Sequence, residues 1–181
     1  MRGPVLVLVA LGAPVCAVAQ EVEDGGGFGL QLTPAIPTGD LVHVAGRGLG
    51  FRMCGARKLR FASVELSPGA AFQFLRFEGK DGGSPFLYFG FLPGIELAAR
   101  LGMVAPFIGA ATGLDHFRTS GAFGGTVSAS GLGLEILAGA DIRMTPAVAL
   151  NLGLRIHPGY TELHGRSLEF HAFDLGLGVV F

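Results

Sequence analysis

The 181 residues are half hydrophobic and only 15% charged, with 31 glycines, no tryptophan and a formal net charge of −1. An ordinary soluble domain carries charge on roughly a quarter of its residues. The composition therefore disfavours a water-soluble globule, and the near-neutral balance leaves no basic footprint for nucleic acid. In chain order, residues 1–19 read as a cleaved signal peptide. Met1 and Arg2 give a positive start, "PVLVLVALGAPV" is apolar, and Ala17 and Ala19 occupy the small-residue positions ahead of Gln20. Val15 is too bulky for lipoprotein processing at Cys16. Residues 20–26 read as a short N-terminal segment and 27–181 as one domain, in which Cys54 is the remaining thiol and cannot make an internal disulfide. It is expected to be a small buried filler.

The longest apolar stretch of that domain, residues 86–114, is interrupted by Glu96, Arg100, Pro93 and Pro106. No run reaches the ~18 apolar residues a membrane helix needs, so a greasy chain of this kind is left with the other solution, a closed barrel of strands. Alternation with a period of two, the mark of a strand with one apolar face, recurs in eight segments. The apolar sets are Phe28, Leu30, Leu32, Pro34 and Ile36; Leu49, Phe51 and Met53; Val64, Leu66, Pro68, Ala70, Phe72 and Phe74; and Leu87, Phe89, Phe91, Ile95 and Leu97. They continue with Pro106, Ile108, Ala110, Thr112 and Leu114; then Leu132, Leu134, Ile136, Ala138 and Ile142. In the seventh segment Val148, Leu150, Leu152, Leu154 and Ile156 alternate with Ala149, Asn151, Gly153, Arg155 and His157. The eighth is "FHAFDLGLGVVF", with Phe173, Leu175, Leu177, Val179 and Phe181 on one face. Proline inside four of the segments removes ladder donors and is the feature least suited to a strand.

Connections alternate in length. Short ones are expected near Arg57–Arg60, Arg100–Met103 and Met144–Ala147, and longer glycine-rich ones at "TGDLVHVAG", "EGKDGGSP", "RTSGAFGGT" and "PGYTELHGR". Short turns at one end and longer loops at the other characterise outer-membrane barrels. A soluble lipocalin-type barrel would turn the apolar face inward and need a polar exterior. The opposite face is instead mostly glycine and alanine with isolated charges, which suits a narrow interior. The fold expected is all-β, an eight-stranded antiparallel up-and-down transmembrane β-barrel.

With its leader, its eight alternating segments, a first strand closing in "PAIPTGDL" and a last strand reaching Phe181, the chain resembles the small OmpA/OmpX-type outer-membrane β-barrels. The resemblance implies an integral protein in the outer membrane of a Gram-negative-type bacterium, a monomer among outer-membrane lipids. It also implies that Phe173, Leu175, Leu177, Val179 and Phe181 are the signal read by the barrel-assembly machinery. The expected role is structural or surface-interacting, with no open pore, catalysis, cofactor or metal.

Among the charges on the inward face are Arg52, Glu65, Glu96, Glu135, Arg155 and Asp174. Folding the second strand back at Lys58–Leu59 sets Arg52 opposite Glu65, and the next loop sets Glu65 opposite Glu96. Folding at Thr145 sets Glu135 opposite Arg155, and the last loop sets Arg155 opposite Asp174. Two triads are expected, since cross-strand neighbours on one face lie about 5 Å apart.

Other motifs offer less. "GRGLGF" and "GLGLGVVF" lack the following helix that a phosphate loop needs. His43, His116, His157, His164 and His171 have no ligand spacing and read as solvated loop residues. Ser167, Glu169 and His171 share a parity that could join a nucleophile, an orienter and a base, so a barrel enzyme acting on lipid A is one alternative function. A carrier of a small hydrophobic ligand is another.

Overall fold

The computed structural model describes residues 23–120, 125–158, 162–163 and 166–180. The proposed leader, Phe181 and His164 lie outside them. Eight strands close into a barrel: β1 (Glu23–Thr38), β2 (Ala45–Phe61), β3 (Val64–Gly79), β4 (Phe86–Ala99), β5 (Val104–Ser120), β6 (Thr126–Arg143), β7 (Val148–His157) and β10 (Glu169–Val180). Between β7 and β10 a small hairpin is made by β8 (Glu162–Leu163) and β9 (Arg166–Ser167). Neighbours in the barrel are neighbours in sequence, and β1 pairs with β10 to shut it. All pairings are antiparallel, from Glu23↔Arg60 at one end of the β1–β2 ladder to Ala35↔Gly48 near the other. The first strand thus begins at Glu23, inside the segment expected to precede the barrel.

The period-two pattern explains which way each strand faces. Wherever burial is described, the apolar sets named above are exposed or half-exposed, and the residues between them turn into the lumen. Phe28, Leu30, Leu32 and Ile36 on β1, for example, stand outside while Gln31, Thr33 and Ala35 are buried. A wall this apolar, covering β1 to β7 and β10, is stable against hydrocarbon and not against water.

The prolines fit because each strand has two ladders and proline lacks one donor. Pro34 keeps its place opposite Leu49 on β2, while the β1–β10 ladder skips from Leu32↔Leu175 to Ala35↔Ala172. Pro93 pairs with Ala70 of β3, and the β4–β5 ladder skips from Phe91↔Leu114 to Gly94↔Ala111. Pro68 stays opposite Ile95 while the β2–β3 ladder is broken beside it. Each interruption is confined to one side.

The two ends differ. At the turn end, Ala62 adopts a left-handed φ of 50° between β2 and β3, and Gly102 one of 67° between β4 and β5. At the loop end a short 3-10 turn (Gly39–His43) follows β1 and another (Lys80–Gly82) follows β3. The Lys80 ammonium donates to the Val42 carbonyl and ties these loops together. Leu41 and Leu168, from loops at this end, fold inward onto Leu75, Phe77, Phe86, Tyr88, Phe117 and Phe170.

Candidate functional site

The lumen is built in layers. Its centre is Arg155, on β7, buried with 1% of its surface exposed. One guanidinium nitrogen donates to Glu135 Oε2 of β6 at 2.8 Å and to Gln73 Oε1 of β3 at 2.6 Å. The other side of the fork grips the Asp174 carboxylate of β10, which also accepts from the Thr33 hydroxyl of β1 at 2.8 Å. Glu135 takes a second cation, Arg52 of β2, at 2.6 Å. Residues from six of the eight wall strands therefore meet on one cluster. Charges buried this far from water are tolerated only when paired and hydrogen-bonded.

Four of the six charges expected to pair are thus joined, but not in the triads expected. Arg52 faces Gln73, not Glu65, because β2 continues to Phe61 and turns at Ala62–Ser63. Glu65 faces Ala98 rather than Glu96, Arg155 faces Leu137 rather than Glu135, and Arg155 faces Ala172 rather than Asp174. The last two slips are by two residues, which preserves the face, so the side chains still meet as diagonal neighbours within reach of an arginine. Arg52 meets Glu135 across the barrel, between strands that are not neighbours.

Glu65 belongs to a separate group at the turn end. It accepts from Lys58 Nζ at 2.8 Å and Arg60 Nε at 3.1 Å, and Lys58 also lies 3.7 Å from Asp141 across the opening. Between the two groups lies a cavity of about 100 Å³ walled largely by glycine and alanine, with Arg52, Cys54, Glu96 and Asp141 among its lining. Glu96 makes no direct ion pair among the described residues and faces this space. Cys54 is half-buried there, its thiol 3.7 Å from the Gly29 carbonyl, so it fills no packed core. Gln31 and Asn151 link the layers, with Gln31 donating to Asn151 at 2.8 Å and Asn151 to Asp141 at 2.7 Å.

Above the Arg155 cluster is a constellation the sequence reading missed. His157, expected as a solvated loop residue, is 1% exposed inside the lumen. Its Nε2 lies 2.7 Å from Asp115 Oδ2, and Tyr88 donates its hydroxyl proton to Asp115 Oδ1 at 2.8 Å. The imidazole stacks on Phe170 with centroids 4.5 Å apart, and Tyr88 packs against Phe117 and Phe170. Glycine makes the room. A Cβ on Gly133 would stand 2.4 Å from the Asp115 carboxylate, and one on Gly90 2.2 Å from the Tyr88 hydroxyl. The signal was in the alternation, which put His157 and Asp115 on the inward face of their strands.

The outer wall carries one hydrogen-bonded pair of potential chemical interest. His116 Nδ1 lies 2.7 Å from Ser130 Oγ, and both project outward near the loop end of β5 and β6. No carboxylate among the described residues orients that imidazole. Of the group suggested by the sequence, Ser167 with Glu169 and His171, His171 is exposed on the outer wall, and the Ser167 side chain lies outside the described residues. Also among the described residues, no cluster of His, Cys, Asp and Glu could hold a metal ion.

No protein-family model and no curated protein matches the sequence. Solved structures do match in shape. Neisserial surface protein A (NspA) superposes with a TM-score of 0.57 at 17% identity, over 89% of this chain and 98% of that one. Ail, the attachment invasion locus protein of Yersinia pestis, gives 0.64 at 15% identity over 88% and 99%. The outer-membrane enzyme PagL gives 0.52 at 14% identity over 82% and 98%. Identities this low speak for the fold alone, and one of the three barrels is an enzyme. What is shared is the fold: this chain is a closed, eight-stranded antiparallel β-barrel with an apolar outer wall, the kind of barrel seen in small outer-membrane proteins.

Proposed function

We propose that the chain is an integral, monomeric outer-membrane barrel of a Gram-negative-type bacterium, closed to ions, with a structural or surface-interaction role and no catalysis. The observation that carries this reading is the blocked lumen. The Arg155 cluster spans the interior from wall to wall, and the Tyr88, Phe117, Phe170, Leu41 and Leu168 layer caps it on the loop side. An eight-stranded barrel has an interior just wide enough for side chains to fill. The purified protein in planar bilayers is expected to show no stable single-channel steps, and reproducible steps would defeat the closed-barrel reading. Carriage of a hydrophobic solute fits poorly, because the cavity is small and charged groups line it alongside the glycines.

The His116–Ser130 pair favours one competing reading, acyl chemistry on a lipid at the outer wall. Without an orienting carboxylate the serine has a weak base. The lipid A mass spectrum of the host envelope is expected to be the same with the wild-type chain, with Ser130→Ala and with the gene deleted. A change in acylation that depends on Ser130 would replace the non-catalytic reading.

A further inference from the structure

Three arginines project from the outer wall at the loop end: Arg47 on β2, Arg76 on β3 and Arg118 on β5. All three are exposed, and none has a hydrogen bond or ion pair among the described residues. Register places Arg76 and Arg118 on either side of Leu87 of β4, two strand spacings apart, or about 10 Å. On the other flank Leu49 of β2 lies opposite Arg76, and Arg47 follows it toward the loops beside the bulge between Ala45 and Gly48. Below them Leu32, Leu49, Phe51 and Phe74 floor a shallow groove whose mouth is formed by Arg47, Arg76 and Glu78.

An arginine on the lipid side of a barrel is costly at hydrocarbon depth and cheap at the interface, where its stem lies along apolar residues and its head reaches polar groups. Arg47 and Arg76 above an apolar groove, with Arg118 two strands to one side of Arg76, are therefore placed for an amphiphile with an anionic head. The guanidinium fork matches a pair of phosphate oxygens in geometry as well as charge. We propose that this arc binds the phosphates of a phosphorylated glycolipid of the outer leaflet, with the lipid's acyl chains lying in the Leu49–Phe51–Phe74 groove. Glu78, at the edge of the groove, disfavours a second anionic group on that side and leaves the Arg76–Arg118 interval as the main phosphate position. The inference rests on the outer-membrane reading with the loop end facing outward.

The test uses the full mature chain in phosphatidylcholine nanodiscs containing bisphosphorylated lipid A, with retained lipid counted by native mass spectrometry. At about 1 kcal/mol per basic residue near an anionic surface, the variant carrying Arg47→Gln, Arg76→Gln and Arg118→Gln is expected to retain on the order of 100-fold less lipid A, and Arg76→Gln alone about 5-fold less. Arg143→Gln at the opposite rim should retain it as wild type does, and dephosphorylated lipid A should be held weakly by every form. Heat-modifiable mobility reports insertion separately. Wild type that fails to insert would defeat the outer-membrane reading itself. If the triple variant does not insert, the single change decides. Equal retention by inserted wild type and variant, or equal retention of phosphorylated and dephosphorylated lipid, would overturn the phosphate site and leave the barrel reading intact.

Discussion

Replacing Arg155 by methionine is expected to cost the folded barrel about 3–5 kcal/mol, the usual loss when one partner of a buried ion pair is removed. The cost falls unevenly on its two carboxylates. Glu135 keeps Arg52 at 2.6 Å, whereas Asp174 is left with the Thr33 hydroxyl and no cation. Adding Asp174→Asn to Arg155→Met should therefore return a large part of the loss. Adding Glu135→Gln instead should return less or deepen it, because Arg52 is then the unpaired charge. Reversible denaturant unfolding in phospholipid vesicles measures all three. A lumen whose charges are merely hydrated would give little loss for the single change and the same result for both second changes, which would remove the network from the account of stability.

Ile136→Arg should be nearly as damaging for a different reason. Ile136 lies midway along β6, 51% exposed on the outer wall, and an arginine at the middle of the hydrocarbon costs about 2–4 kcal/mol. Ser128→Arg, on the same strand and face but at the loop end, should cost about 0–1 kcal/mol. The same unfolding measurement compares them. Equal costs at the two positions would mean that the exposed apolar wall does not sit in a bilayer as its composition requires.

Much of this architecture was legible because a barrel wall repeats every second residue. Leu150, Leu152, Leu154 and Ile156 face outward, as their alternation requires, and even the slips of register leave each residue on its expected face. Register itself was not legible. The β2–β3 turn is built on Ala62, which takes a left-handed φ of 50° without the glycine or asparagine that would mark it in a sequence. The end of β2 at Phe61 is accordingly unmarked in the sequence. Contacts across the lumen were hidden for another reason. Arg52 and Glu135 sit on strands that never pair, so only the closed cross-section brings them together. His157 stands at the end of β7 beside a loop, which makes it look solvated although its parity points inward. Its partner Asp115 lies on β5, where no local spacing connects the two.

The seam between β1 and β10 also has a consequence for kinetics. It pairs Gly27 with Val180 and Thr38 with Glu169, so the ladder that shuts the barrel joins residues from opposite ends of the chain. The Thr33–Asp174 bond crosses the same seam, and the Arg155 guanidinium contacts both of those residues. An open sheet therefore has two unpaired edges and an incomplete charge cluster at once, which makes it doubly unfavourable in lipid. Pairings of such high contact order form slowly, since loop-closure entropy is lost before the contacts are gained. Closure of this seam is accordingly the expected slow step of refolding, and Thr33→Val, which removes a bond across it, should speed unfolding more than it slows folding if that bond forms only after the transition state.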